Sequence, residues 1–177
     1  MNIETLEDIY SFLRKPLPYS FALGFIGFVI LVLIKTLDIF KVKTKKIKFT
    51  ATILLLQVFL LGFTLAILQI TILKKIRNDF TFIIENPQTE VIQVNNTFGN
   101  FTSDELKAEL LKIKNYKDHH SGTSREMKLQ VKTNNTIYNE IVAQDEYEKN
   151  EFWIFFDKYW FGSEETEIGR IKSTKFN

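Results

Sequence analysis

Two stretches in the first half of the chain carry no charged side chain: Leu17 to Ile34, with 18 residues, and Phe49 to Leu73, with 25. At the α-helical rise they would extend about 27 Å and about 37 Å, against a hydrocarbon layer of about 30 Å. That feature excludes a single soluble globule as the expected form, although the mean hydropathy of -0.05 over the whole chain looks like that of a soluble protein. Membrane-spanning helices are expected at about residues 17–37 and 49–73, the second tilting or pushing its ends into the head groups. Between them lie Lys35, Lys41, Lys43, Lys45, Lys46 and Lys48 with Asp38 alone, a short basic connection that makes residues 17–75 a helical hairpin.

A cleaved signal peptide fits poorly, because Glu4, Glu7 and Asp8 stand where a basic segment is required and no small-residue cleavage site follows the run. The first helix is therefore expected to remain as an anchor. Upstream, Ile3, Leu6, Ile9, Tyr10 and Leu13 fall on one face of a short helix that ends before Pro16. Residues 1–16 are thus an amphipathic segment, lying along the membrane interface or capping the soluble part. Lysine counting leaves the topology almost tied, six cations in the loop against Arg14, Lys15, Lys74, Lys75 and Arg77 on the other side. Cut at Asn78, the chain has 11 Lys and Arg against 4 acids before and 12 against 17 after, so a basic membrane part precedes a soluble part at -5. An acidic domain lacks the cationic footprint of phosphate binding, and direct non-specific nucleic-acid binding is not expected.

In the second run Thr50, Gln57, Thr64 and Thr71 recur every seven residues and form a polar stripe along the helix. In the first, Ser20, Gly24 and Gly27 place small side chains on one face, where another helix can approach closely. Two readings stay open. The stripe packs on the small face within one hairpin, or it forms the seam of a homo-oligomer and a route for ions.

Residues 76–177 read as a small α+β domain of about six mostly antiparallel strands and one helix. Phe80 to Glu85 and Thr89 to Val94 are β-rich runs separated by Asn86, Pro87 and Gln88, a hairpin signal. Thr102 followed by Glu105 is a capping-box pattern, and Leu106, Leu110, Leu111 and Ile113 supply an apolar helix face. Met127, Leu129 and Val131 alternate with polar residues as a half-buried strand should. Asn134 and Asn135 mark a turn, and further strands are expected at Ile137 to Ala143, Glu151 to Phe156 and Glu167 to Ser173. Phe152, Trp153, Phe155, Phe156, Tyr159, Trp160 and Phe161 crowd one segment. They form either a strand buried on both sides or an exposed ledge in which Trp153, Tyr159 and Trp160 meet a partner or the membrane interface.

Chemistry-bearing motifs are sparse. With no Cys, thiolate metal sites and thiol nucleophiles are excluded. His119, His120 and Ser121 are adjacent rather than spaced as an i, i+4 metal pair, and no nucleophile elbow surrounds Ser121. Asp145, Glu146, Glu148 and Glu151 lack the alternating ligands and central Gly of a calcium loop. No phosphate-binding or dinucleotide glycine pattern occurs. Accordingly no catalytic residue, metal or cofactor is expected, and the chain does not read as an enzyme.

The segment from Glu151 through Trp153, Tyr159 and Trp160 to Ile168, Gly169, Arg170 and Ile171 resembles the C-terminal part of the two-helix transmembrane effectors of bacterial retron anti-phage systems. The order of parts, two hydrophobic helices, a short basic loop and a polar domain without catalytic motifs, resembles them over the whole chain. The resemblance implies an abortive-infection toxin, multi-pass in the bacterial cell inner membrane with its soluble domain cytoplasmic. A reverse transcriptase and its RNA-linked DNA product (msDNA) would hold it inactive; once released, it would associate through its helices, depolarise the membrane and arrest growth. The alternative is a non-toxic membrane-anchored immunity or protein-binding module of the same architecture.

Overall fold

The computed structural model describes residues 1–38, 45–116, 121–162 and 166–176 of the chain. The chain divides into two compact units, Met1–Ile70 and Thr71–Asn177.

In the first unit α1 (Ile3–Arg14) starts at Asn2, whose side-chain Oδ1 accepts from the Thr5 amide at 2.8 Å. Glu4 in its first turn and Arg14 in its last complement the helix dipole. Leu6 and Glu7 are buried and Ile3, Ile9, Tyr10 and Leu13 are half-buried, whereas Phe12 is exposed. Helix α2 (Leu17–Asp38) takes Pro18 in its first turn, where no intrahelical donor is needed. Helix α3 (Lys45–Glu85) contains the second apolar run. Segment 39–44, which holds Lys41 and Lys43 of the expected basic connection, lies outside the described residues.

The buried face of α2 comprises Ser20, Gly24, Gly27 and Ile34, while Phe21, Phe25 and Phe28 are exposed, as are Phe59 and Phe63 on α3. Only 22% and 11% of the most apolar windows of α2 and α3 are buried. Both helices are long and apolar enough to cross a membrane, and neither is covered by its own chain as the core helix of a globule would be.

The second unit holds a five-stranded antiparallel sheet in simple meander order: β1 (Glu90–Gln93), β2 (Thr123–Thr133), β3 (Thr136–Asp145), β4 (Glu151–Phe156) and β5 (Gly169–Lys172). Asn134 and Asn135 both have positive φ, 43° and 66°, which gives the two-residue turn between β2 and β3 the twist a tight hairpin requires. Strand alternation sends Val91, Met127, Leu129, Val131, Val142, Phe152, Ile154, Phe156 and Ile171 to one face, all of them buried. Helix α4 (Ser103–Leu110) carries the expected capping box, with the Thr102 amide donating to Glu105 Oε2 at 2.9 Å, and buries Leu106 and Leu110. Rings of Phe98, Phe101, Phe152 and Phe176 close the core beneath β4 in edge and stacked pairs.

The strand count is five rather than about six, because Phe80 to Glu85 is the last part of α3 and not a strand. Ile72, Ile76, Phe80, Ile83 and Ile84 are buried at helical spacing, and Phe80 meets Phe156 edge-on at 5.1 Å. Extending a formed helix adds a hydrogen bond per residue without a new nucleation cost, so packing overrides the β preference of Phe, Thr and Ile. Helix α4 is also shorter than its apolar pattern: it ends at Leu110, and Lys114 instead bridges to Arg170 at the free edge of β5.

Candidate functional site

Gly24 and Gly27 let α2 approach α3 closely. A Cβ on Gly24 would collide with Val58 Cγ2, and one on Gly27 would lie 2.7 Å from the Ala51 carbonyl oxygen and 3.0 Å from Leu54 Cβ. The helix face nearest these glycines is thus Ala51, Leu54, Leu55 and Val58, one position on from Thr50 and Gln57 and so about 100° around the helix. Thr50 and Thr64 are exposed, and their hydroxyls donate back to the carbonyls of Lys46 and Leu60 at 3.3 and 2.8 Å. Gln57 is half-buried, and its amide nitrogen is enclosed with no hydrogen-bond partner among the described residues. Ser20 is buried and Thr71, which belongs to the second unit, is half-buried. The small face is thereby brought to α3, while most of the polar stripe is not brought to the small face.

The aromatic segment divides. Phe152, Ile154 and Phe156 point into the core, and Phe161 is buried beside them. Trp153 lies on the opposite sheet face, half-buried, with the Arg170 guanidinium 4.3 Å over its ring and its indole N–H donating to Asp145 Oδ2 at 3.0 Å. Arg170, itself buried, donates to Glu151 Oε1 at 3.0 Å and to Glu167 Oε1 at 2.9 Å. Burial disfavours its charge, but the bonds to Glu167 and Glu151 outweigh that and raise its pKa. Asp145 is a second node, accepting from the Ser121 hydroxyl at 2.6 Å and from the amides of Tyr147 and Glu148. Burial pushes its carboxyl up, yet these bonds together with that of Trp153 prevail and hold it at about 2. Such a network fixes the β3–β4 connection and β5.

Tyr159 is half-buried, its hydroxyl donating to Asp79 Oδ2 at 2.9 Å, where Lys158 Nζ also binds at 2.6 Å. Trp160, in contrast, is 54% exposed. Among the three aromatic contact candidates, two are thus committed to internal polar partners and one is presented outward.

Sequence reasoning passed over Glu140. It sits on the inner face of β3, opposite Leu129 and Phe156, at 1% exposure, with neither carboxyl oxygen hydrogen-bonded to a described residue. Burial without a partner raises its pKa well above the carboxylate range. The signal was present in the strand, since Tyr138, Glu140 and Val142 alternate as inward positions. On the outer face an open depression of about 340 Å³ is lined by Val94, Lys128, Gln130, Asn139, Ile141 and Phe155.

Among the described residues no group of three or more His, Asp or Glu is placed to hold a metal ion. His119 and His120 lie outside the described residues. No protein-family model matches the chain, and the searches of curated proteins and of solved structures found no match.

Proposed function

We propose that the chain is a multi-pass membrane effector whose hairpin permeabilises the bacterial inner membrane, with the sheet unit as its cytoplasmic control element. The observation that carries the reading is the low burial of α2 and α3: apolar side chains such as Phe21, Phe25, Phe59 and Phe63 need a solvent other than water. Self-association follows from the polar stripe. Thr50 and Thr64 lie outward on α3, and the enclosed Gln57 amide lacks an acceptor that a second copy could supply after a small side-chain rotation. The resemblance to retron effectors supplies the control arrangement, inhibition by a reverse transcriptase and its msDNA until infection. A cytoplasmic partner requires a cytoplasmic sheet unit, and the acidic balance of that unit suits a basic polymerase surface.

The test is expression of the chain alone in bacteria carrying a voltage-sensitive dye. An effector collapses the membrane potential and stops growth. Replacing Gln57 and Thr64 by Leu is expected to weaken depolarisation at equal membrane abundance, since side-chain hydrogen bonds between membrane helices contribute about 0.6–2 kcal/mol each. Undiminished depolarisation would remove the seam from the mechanism. An intact potential with the unchanged chain would favour a membrane-anchored protein-binding module acting through the outer sheet face.

A further inference from the structure

We propose that the turn carrying Trp160 is a lipid-contacting rim of the sheet unit, with the Trp160 indole lodged among phospholipid head groups. This deepens the membrane reading and rests on it.

The apolar run of α3 ends at Leu73, and the sheet unit docks on the helix immediately afterwards. Ile72 and Ile76 are fully buried. Arg77 Nη1 donates to the Ile168 carbonyl at 2.9 Å and to Asn115 Oδ1 at 3.3 Å, and Asp79 holds Lys158 and Tyr159. Arg77 and Asp79 are four and six residues beyond Leu73, about 6 Å and 9 Å along the axis. The polar layer outside the hydrocarbon is about 5–7 Å deep on each side. Lys158 and Tyr159 are therefore tied to α3 at Asp79, just beyond that layer, a gap of about 2–4 Å that the side chain of Trp160 is long enough to span.

The turn is also tied to its surroundings. Tyr159 is tied to Asp79 at one end, and the Gly162 amide donates to the Tyr159 carbonyl at 3.1 Å. Gly162 is wedged so that a Cβ there would lie 2.6 Å from the Phe156 carbonyl oxygen and 2.8 Å from Ile168 Cγ2. Phe161 is 5% exposed and meets the Trp160 ring edge-on at 5.6 Å. A fixed backbone thus directs a large apolar ring away from the core, in contrast to Trp153, whose indole N–H is bonded to Asp145. No acceptor for the Trp160 N–H occurs among the described residues. An apolar body with a free N–H donor matches the head-group boundary, where ring and donor are both satisfied. Exposed Lys74 and Lys75, directly after the run, add attraction to anionic lipid.

The experiment uses the full chain in phosphatidylcholine–phosphatidylglycerol vesicles with bromine placed either high or low on the acyl chains. Because Trp160 is exposed, Trp160→Phe leaves the fold intact, and the difference between parent and variant isolates its emission from that of Trp153. A spanning control, Phe63→Trp in the Trp160→Phe background, reports whether α3 enters the bilayer. Expected are a blue-shifted Trp160 emission quenched several-fold more by shallow than by deep bromine, and a control quenched most by deep bromine. A quenched control with unquenched, water-like Trp160 emission overturns the rim and leaves the spanning helix standing, assigning the ring to water or a protein partner. If the control is unquenched as well, both the rim and the membrane reading fall.

Discussion

A carboxylic acid with no partner at the centre of a sheet is a local conflict, and Glu140 is one: its neighbours across the strands are Leu129 and Phe156. Its folded pKa lies above its unfolded value, so the native state holds a proton that the unfolded chain releases once the pH passes the ordinary carboxylate range. Stability should be greatest below that range and fall as the pH rises towards the shifted value, by about 1.4 kcal/mol per pH unit. Glu140→Met keeps the bulk and removes the conflict. The variant is expected to be more stable than the parent by about 1–3 kcal/mol at neutral to mildly alkaline pH, with a smaller gain in acid. Thermal melts of the full chain in detergent across this range measure the difference; equal pH dependence of parent and variant would mean that Glu140 finds a partner in solution. Asp145 shows the opposite outcome of burial, since four donors hold it at about 2; its stabilisation is complete above the ordinary carboxylate range and is lost as the pH falls from there through about 2.

Two elements depart from, or go beyond, what local pattern dictates. Residues 80–85 are β-rich, but in α3 Phe80 is fully buried and Phe82 is 71% exposed. Residues two apart share a strand face and lie on nearly opposite helix faces, so truncation separates the two conformations. Phe80→Ala is expected to cost about 3–5 kcal/mol and Phe82→Ala within about 0.5 kcal/mol, read from unfolding of the full chain in detergent. Similar losses at both positions would restore the strand. The glycines of the hairpin make a second comparison. Gly27 has backbone within 3 Å of where a Cβ would stand, whereas Gly62 has nothing within 4 Å. Gly27→Leu is expected to destabilise the helix pair by about 1–3 kcal/mol through overpacking, and Gly62→Leu to be nearly neutral. The concentration of sodium dodecyl sulfate that unfolds each variant measures this; equal midpoints would show that α2 and α3 are not in close contact.

At the scale of the whole molecule, a charge division at Asn78 separates a +7 segment from a -5 segment, and the structure divides into units at Thr71. The two apolar helices, the Thr102–Glu105 capping box, the Asn134–Asn135 turn and the five strands were legible in local sequence, because each depends on side-chain period or on backbone preferences within a few residues. The candidate site was legible only as residue types. That α3 continues to Glu85, that Gly24 and Gly27 meet Ala51, Leu54 and Val58 rather than the neighbouring polar stripe, and that Trp153 and Tyr159 turn inward while Trp160 stays outside were decided by tertiary packing. The physical reason is that burial and hydrogen-bond satisfaction are settled between groups far apart in the chain: Asp79 with Tyr159, Arg77 with Ile168, Asp145 with Ser121. Periodicity states which face a residue occupies, and only the fold states what that face meets.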